Sequence, residues 1–259
     1  MRRLLFLFLL SPVALSAQDP DCTILGIQDL SQVYQDLLDA HAELQQTVDS
    51  LQLVIENPPC GSIVAFGGRG YETVQIGDQC WFAENLRTTV YADGTSIPEV
   101  TDDAAWTGLS TGARCDYDND ATNVTTYGRL YNWYAVDDAR GLCPSGWHVP
   151  TDGEWTDLDN YLGENGHPLT EGIALKATSG WYSDGNGTDD FGFSALPGGL
   201  RYYDNGYFFS AGSYGGWWSS SPSNGFAWYR SLDGSNPGIY RYASDPRSGF
   251  SVRCLRYAD

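Results

Sequence analysis

A long apolar stripe at heptad spacing constrains the fold of this chain more than any other feature. Apolar side chains and one histidine recur at alternating steps of three and four residues, and the positions between them are mostly Gln, Asp, Glu and Ser. The stripe consists of Ile27, Leu30, Tyr34, Leu37, His41, Leu44, Val48, Leu51 and Ile55. A strict period of 3.5 residues keeps these side chains on one narrow side of a helix, which predicts a parallel coiled coil.

The coiled coil predicts that the chain associates with itself as a trimer or a dimer. Leu at every d position favours two strands, whereas Tyr34 and His41 at a positions fit three. A single amphipathic helix lying on the adjoining domain is the alternative interpretation. His41 is interpreted as a register-setting residue; the alternative is a pH-sensitive seam, because buried imidazolium charges oppose assembly. Pro58-Pro59 separates the helix from the rest of the chain.

The first 17 residues have the pattern of a signal peptide. Arg2 and Arg3 precede the apolar run Leu4–Leu10, and small residues in Ala14–Ala17 suit cleavage. The run is too short to span a bilayer, and no other membrane segment is expected in the mature chain. We therefore predict an exported protein, extracellular or at the cell surface, with a signal peptide at 1–17, an oligomerisation neck at 18–59 and one domain at 60–259.

The charge of the chain argues against negatively charged partners. Lys and Arg number 14 against 33 Asp and Glu, for a formal net charge of −19. Such a surface repels phosphates and anionic lipid, so neither nucleic acid nor a membrane surface is an expected partner.

Six cysteines in an exported chain predict disulfides. We predict one bond between Cys143 and Cys254 and one between Cys80 and Cys115. Cys22 and Cys60 flank the heptad stripe, where parallel chains bring identical cysteines together, which predicts interchain bonds. A bond from Cys60 into the domain is the alternative.

The domain at 60–259 is expected to be α+β, with short antiparallel strands and one marked helix. Thr151 and Glu154 form a capping-box pattern, Gly163 suits a helix end, and the spacing predicts a helix over 151–162. From Phe191 onward, short apolar runs alternate with turn residues, which predicts an antiparallel meander. Asp204-Asn205-Gly206 within it predicts a hairpin turn.

Five motifs in order carry a resemblance to a known family. They are Tyr127–Tyr134, Cys143–Trp155, Gly192–Gly199, Trp217–Ser221 and Gly249–Cys254. Together they resemble the Fibrobacter succinogenes major paralogous domain over about residues 63–257. More distantly, the helix at 151–162 and the closing Gly-Phe-Ser-Val-Arg segment are similar to the formylglycine-generating (sulfatase-modifying) family. That similarity implies a C-type-lectin-like fold.

The resemblance implies a fold more than an activity. The formylglycine-generating family works through a late pair of cysteines, and here Cys254 stands alone. The sugar-calcium triplets of C-type lectins are also missing, and no catalytic motif is recognised, so we predict a protein that is not an enzyme.

Two sets of residues are candidates for binding. Oxygen ligands at alternate positions of a loop could bind calcium, although a solvated acidic loop is the alternative; they are Asp116, Asp118, Asp120 and Asn123. Aromatic residues in or near turns could stack on carbohydrate, although core packing is the alternative for each; they are Trp181, Tyr182, Tyr202, Tyr203, Tyr207, Trp217 and Trp228. No cofactor other than calcium is expected.

The sequence as a whole predicts an oligomeric surface protein that displays lectin-like domains on a coiled-coil neck. Its expected work is adhesion or binding of extracellular polysaccharide or of a surface protein, with avidity from several copies. The alternatives are a structural subunit of an extracellular layer or filament and, less favoured, a formylglycine-generating-type enzyme.

Overall fold

The computed structural model describes residues 27–56 and 58–258, and of the side chains before 58 only those of residues 31–50. The chain divides into two compact units between Leu53 and Val54. The predicted signal peptide and Cys22 lie outside the described residues. Within the described ranges, no helix combines the length and the apolar character needed to cross a membrane.

The heptad stripe forms one continuous helix, α1, Ile27–Glu56. The stripe side chains that the structure describes are exposed to solvent in the single chain, including Tyr34, Leu37, His41, Leu44 and Val48. The side chains of Ile27, Leu30, Leu51 and Ile55 lie outside the described set. The predicted helix is confirmed, and its association with other copies stays a prediction.

Residues 58–258 of the second unit, here named the head, mix short helices with short strands. Its helices are α2 Asp103–Thr107, α3 Asn123–Tyr127, α4 Trp133–Val136, α5 Asp152–Glu164 and α6 Glu171–Leu175. Its first strands are β1 Val64–Phe66, β2 Arg69–Tyr71, β3 Thr73–Ile76, β4 Gln79–Phe82, β5 Arg114–Cys115 and β6 Leu130–Tyr131. The later strands are β7 Leu200–Arg201, β8 Phe208–Phe209, β9 Tyr214–Ser223, β10 Phe226–Asp233, β11 Tyr240–Ser244 and β12 Leu255–Tyr257.

The strands form small antiparallel sheets rather than one large one. Two sheets have three strands, in the orders β11-β10-β9 and β12-β4-β3, and the pairs β1-β2, β5-β6 and β7-β8 complete the head. The predicted α+β class is therefore confirmed. The predicted meander is correct from β9 to β11 only, because β12 leaves it and pairs with β4, placing Arg256 opposite Cys80.

Helix α5 begins as the capping box predicts. Thr151 Oγ1 accepts from Glu154 N, and the Glu154 carboxylate accepts from Thr151 N. The helix ends later than predicted, because Asn165 N bonds to carbonyls of the last turn and Gly163 lies inside the helix. Its apolar side packs in a core with Trp81, Phe193 and Trp217.

Two disulfides fasten the head. Cys143 is bonded to Cys254, as predicted. The predicted Cys80–Cys115 bond is wrong, because Cys80 is bonded to Cys60. That bond also leaves no Cys60 thiol for the predicted interchain bond, and the alternative of a bond into the domain is the correct one.

Cys115 is a buried thiol without a disulfide partner. Burial raises its pKa to about 12, so it stays protonated at neutral pH.

Candidate functional site

Two of the three predicted tryptophan ligands belong to the core. Trp181 and Trp217 are buried, and their indole N–H groups donate to Ala195 O (2.9 Å) and Asn85 Oδ1 (2.8 Å). Trp228 is half-buried, and the Arg241 guanidinium lies 3.4 Å from its ring centroid. The prediction of carbohydrate stacking is wrong for Trp181 and Trp217, because core packing takes both faces of a buried ring.

Unlike Trp181 and Trp217, the predicted tyrosines are not buried. Tyr202, Tyr203 and Tyr207 come together on the β7–β8 hairpin, where Asp204-Asn205-Gly206 forms the predicted turn. Phe209, which was not among the predicted residues, joins them. Tyr182 is exposed but lies apart, over Gly212. Residues 200–209 are named the tyrosine hairpin.

A wholly buried arginine holds the tyrosine hairpin to the rest of the head. Arg201 Nε donates to Gly206 O (2.7 Å), which fixes the turn. Its Nη1 and Nη2 donate to Val100 O (2.6 Å) and Thr101 O (2.9 Å), and Nη2 also donates to Asp103 Oδ1 (2.9 Å). A guanidinium with several fixed donors can in this way tie a turn to a separate loop.

Aromatic rings on both sides enclose the same guanidinium. The Arg201 Cζ atom lies 4.5 Å from the Trp106 ring centroid and 4.8 Å from that of Phe208. Gly206 touches Asp103 so closely that a Cβ atom there would lie 2.6 Å from Asp103 O. The hairpin is thus short, yet its position is fixed by buried contacts rather than by a long strand ladder.

The outer side of the hairpin presents aromatic rings to solvent. Tyr207 is 56% exposed, Phe209 42% and Tyr202 37%. The Tyr202 ring centroid lies 4.7 Å from that of Tyr203 and 6.1 Å from that of Phe209. The hydrogen bond with Tyr202 raises the pKa of Tyr203, so this phenol stays neutral at physiological pH. The surface is therefore apolar at its ring faces and carries hydroxyl groups at its edges.

A charged pair borders this surface. Arg247 Nε and Nη2 donate to the two Asp245 oxygens, each at 2.8 Å, and these bonds lower the pKa of Asp245. The Arg247 Cζ atom lies 5.5 Å from the Tyr203 ring centroid. The border therefore offers both donors and acceptors beside the rings.

The predicted calcium loop has its side chains engaged separately. The Asp116 carboxylate forms an ion pair with Arg129, and Asp120 Oδ1 accepts from Thr122 N (2.9 Å). Asn123 Nδ2 donates to Tyr117 O (3.0 Å). Throughout the described part of the chain, no three His, Cys, Asp or Glu side chains form a group suited to a metal ion. Calcium binding by Asp116, Asp118, Asp120 and Asn123 therefore stays a prediction, and Asp116 is buried rather than solvated.

The described residues of the head also include no pair of free cysteines like the pair through which the formylglycine-generating family works. Cys254 is bonded to Cys143, and the buried Cys115 lies in another strand, β5. Neither sulfur can act in a reactive cysteine pair as the head stands.

Sequence reasoning missed the residues that build the hairpin, chiefly Arg201, Trp106 and Phe209. An arginine between glycines and tyrosines in Gly198–Tyr203 was the available signal. That signal could not show which carbonyls the guanidinium reaches, because Val100 and Thr101 are a hundred residues away in sequence.

Comparison with known proteins identifies a family. A family model described as the Fibrobacter succinogenes major domain matches residues 74–256, which is more than half of the chain and most of the head. No curated protein and no solved structure matches the chain.

Proposed function

The chain belongs to the Fibrobacter succinogenes major domain family, and from this premise we propose that it is an exported, oligomeric protein that binds neutral extracellular polysaccharide without transforming it. The tyrosine hairpin is the proposed contact surface. The heptad helix is proposed to associate with copies of itself and so to join several heads in one oligomer.

The observation that carries this proposal is a rigid set of exposed aromatic rings. A sugar ring presents C–H groups on its faces and hydroxyl groups at its edge, which matches an exposed tyrosine. Tyr202, Tyr207 and Phe209 supply such faces, and buried Arg201 holds them in place. Fixing these rings before binding reduces the entropy lost on association. A net charge of −19 disfavours acidic glycans, so the proposed ligand is neutral.

Oligomerisation is proposed from the stripe on α1. Leu37 and Leu44 are 63% and 62% exposed in the single chain, which leaves an apolar seam uncovered. Copies of the same helix are the proposed cover, as a parallel trimer or dimer. Several weak sites on one stalk gain avidity without any new contact.

We also propose export and a C-type-lectin-like fold. The disulfides Cys60–Cys80 and Cys143–Cys254 are compatible with an oxidising compartment. The pairing of early strand β4 with last strand β12, together with α5 as the longest helix of the head, is compatible with a lectin-like head.

Glycan binding by tyrosine-hairpin variants tests the proposal. The double substitution Tyr202→Ala and Tyr207→Ala removes two exposed rings and is expected to weaken binding by about tenfold or more. Binding is measured on a glycan array and by affinity electrophoresis in gels containing neutral polysaccharides. Chelator is expected to leave binding unchanged, because the proposed contacts of the tyrosine hairpin do not involve a metal ion.

The matched control is Phe226→Ala, which removes an exposed ring from another hairpin of the head. It is expected to bind like the unchanged protein. Equal loss in both variants, or no binding of the unchanged protein to any neutral glycan, contradicts the proposal.

A structural subunit of an extracellular layer or filament is the second candidate. Strand β11, Tyr240–Ser244, lies at the edge of its sheet and pairs with β10 alone. An open edge can accept a strand from another chain. Concentration-dependent growth beyond the coiled-coil oligomer, abolished by Tyr242→Pro, would favour this candidate over polysaccharide binding.

A further inference from the structure

A polar cleft lies beside the tyrosine hairpin, and some of its side chains make no hydrogen bond to other described residues. It has a volume of 540 Å³ and is lined by residues that include Ser96, Ser110, Thr111, Tyr134, Asp137 and Arg140. Cavities of this size accept small ligands. It is named the Tyr134 cleft.

Several side chains of the cleft make no hydrogen bond within the described part of the chain. The hydroxyls of Ser96, Ser110 and Thr111 and the carboxylate of Asp137 are in this state, and all four residues are exposed to solvent. Hydroxyl groups can both donate and accept, and a carboxylate only accepts. This inventory matches the alternating donors and acceptors of a polyhydroxylated ligand.

A buried phenol also lies behind the cleft wall. Tyr91 is wholly buried, and its hydroxyl lies near the Asp138 carboxylate and the Arg140 guanidinium. The hydroxyl lies against Gly112, a wall residue, where a Cβ atom would come within 2.1 Å of it. Burial, together with the charge of the nearby Asp138 carboxylate, raises the pKa of Tyr91, so the group remains a donor at neutral pH. Tyr91 therefore supports the wall from behind, outside the lining of the cleft.

A preformed ion pair lines the wall. Arg140 Nε and Nη2 donate to Asp138 Oδ1 (2.8 Å) and Oδ2 (2.7 Å), and the guanidinium lies 3.9 Å from the Tyr91 ring centroid. Arg140 Nη1 also donates to Thr95 Oγ1 (3.1 Å). With Asp137 beside this neutral pair, the cleft carries a net negative charge. It therefore disfavours phosphates, carboxylates and uronic acids.

The cleft and the tyrosine hairpin are joined through Arg247. Trp133 N donates to Pro246 O (2.8 Å). The next residue of each segment, Tyr134 and Arg247, therefore lies close to the other. Arg247 Nη1 donates to Thr107 O (2.8 Å), close in sequence to Ser110 and Thr111 of the wall. On its other side Arg247 faces Tyr203 of the hairpin. The two surfaces therefore share a border.

We propose that the Tyr134 cleft binds one neutral sugar unit, the terminal residue of a glycan whose next units lie on the tyrosine hairpin. Its hydroxyls bond to Asp137, Ser110 and Thr111, and the half-buried Tyr134 ring lies beside it. The inference rests on the proposed polysaccharide binding and adds that the chain is recognised at its end.

The test titrates neutral methyl glycosides and neutral oligosaccharides of two to six units into the intact protein. Backbone amide resonances of Gly112 and Asp138 are followed by NMR, and affinities are measured by calorimetry. We expect these resonances to shift with a methyl glycoside alone. Asp137→Asn, and separately Ser110→Ala with Thr111→Val, are expected to weaken its binding about tenfold. Asp157→Asn, an exposed carboxylate on α5, is the matched control and is expected to have no effect.

The outcomes separate the two proposals. Cleft variants that bind every probe like the unchanged protein, while Tyr202→Ala with Tyr207→Ala still weakens oligosaccharide binding, overturn the terminal-unit inference and leave the proposed function standing. Absence of binding by the unchanged protein to any probe overturns both. Binding of charged uronate or sulfated oligosaccharides in the cleft, in preference to neutral ones, also contradicts the inference.

Discussion

At the scale of single residues, buried arginines hold this head together in the way that long strands hold other domains. Arg253 is wholly buried and donates to the carbonyls of Phe82 (2.8 Å), Phe193 (2.6 Å) and Ser194 (3.0 Å). Burial lowers the pKa of Arg253 to about 9, yet the group remains charged at neutral pH. Arg201 ties the tyrosine hairpin in the same manner. Each guanidinium satisfies several backbone carbonyls that loops would otherwise bury unpaired.

Glu154 gives a pH-dependent prediction at this scale. Burial opposes its ionisation, but hydrogen bonds from His148 Nε2 (2.8 Å) and Thr151 lower the pKa of Glu154 to about 2. A folded-state pKa below the unfolded value stabilises the head above about pH 4.5, and this stabilisation is lost as the pH falls towards 2. We expect Glu154→Gln to cost about 2 kcal/mol at pH 6 and almost nothing near pH 2.

Urea denaturation of both proteins between pH 2 and pH 7 measures this difference. Glu164→Gln, an exposed carboxylate on the same helix, serves as the control and should change the free energy of unfolding little at any pH. A cost for Glu154→Gln that does not vary with pH would mean that the carboxylate acts through packing alone.

At the scale of elements, short hairpins depend on their turns and on what the turns touch. The turns of β7–β8 and β9–β10 each place a glycine at positive φ, with 76° at Gly206 and 85° at Gly225. Gly225 has open space beyond its Cα hydrogen, whereas Gly206 lies against the backbone of Asp103. The pair therefore separates backbone strain from steric contact.

Gly206→Ala is predicted to displace the tyrosine hairpin. Gly225→Ala should cost about 1 kcal/mol, because only positive φ is penalised. Gly206→Ala should cost about 3 kcal/mol, because the methyl group also overlaps Asp103. Thermal unfolding measures both costs, and Gly206→Ala should also weaken glycan binding. Equal losses of unfolding free energy in the two variants would show that the backbone near Asp103 moves at little energetic cost to accommodate the methyl group.

At the scale of the whole molecule, the two disulfides close loops of very different length. Cys143 and Cys254 are separated by 111 residues in sequence, and Cys60 and Cys80 by 20. A longer closed loop restricts the unfolded chain more. The long bond also fixes the segment before β12, which pairs with β4 in another part of the sequence.

Removing each disulfide should therefore have an unequal effect. Cys143→Ala with Cys254→Ala is predicted to lower the free energy of unfolding by about 5 kcal/mol, and Cys60→Ala with Cys80→Ala by about 3 kcal/mol. Guanidinium denaturation of the oxidised proteins gives both values. The reverse order would indicate that loop length does not dominate.

The heptad helix gives the second prediction at this scale. Leu37→Glu with Leu44→Glu places charges in the proposed seam and should convert the oligomer to monomers. Gln35→Glu with Gln46→Glu adds the same charge outside the stripe and should leave the oligomer intact. Analytical ultracentrifugation measures the mass. Monomers should keep their affinity for a soluble oligosaccharide and lose about 100-fold for a polysaccharide-coated surface. If the unchanged protein is a monomer, the proposed association through the stripe on α1 is wrong.

The sequence determined the features that arise from neighbouring residues. The stripe from Ile27 to Ile55 was sufficient for a helix, Thr151 and Glu154 for the start of α5, and Asp204-Asn205-Gly206 for a turn, because each depends on bonds or spacing within a few residues. The motifs also sufficed for the family.

Only the tertiary structure decided the features that join distant parts of the chain. It bonded Cys80 to Cys60 rather than to Cys115, buried Trp181 and Trp217, and left Tyr202 and Tyr207 at the surface. It also placed Tyr91 behind Gly112 and brought the Arg201 guanidinium within hydrogen-bonding distance of Val100 O. In a head of short strands and long loops, the composition of a turn does not show whether its aromatic ring faces the core or solvent. That choice depends on the packing of segments a hundred residues apart.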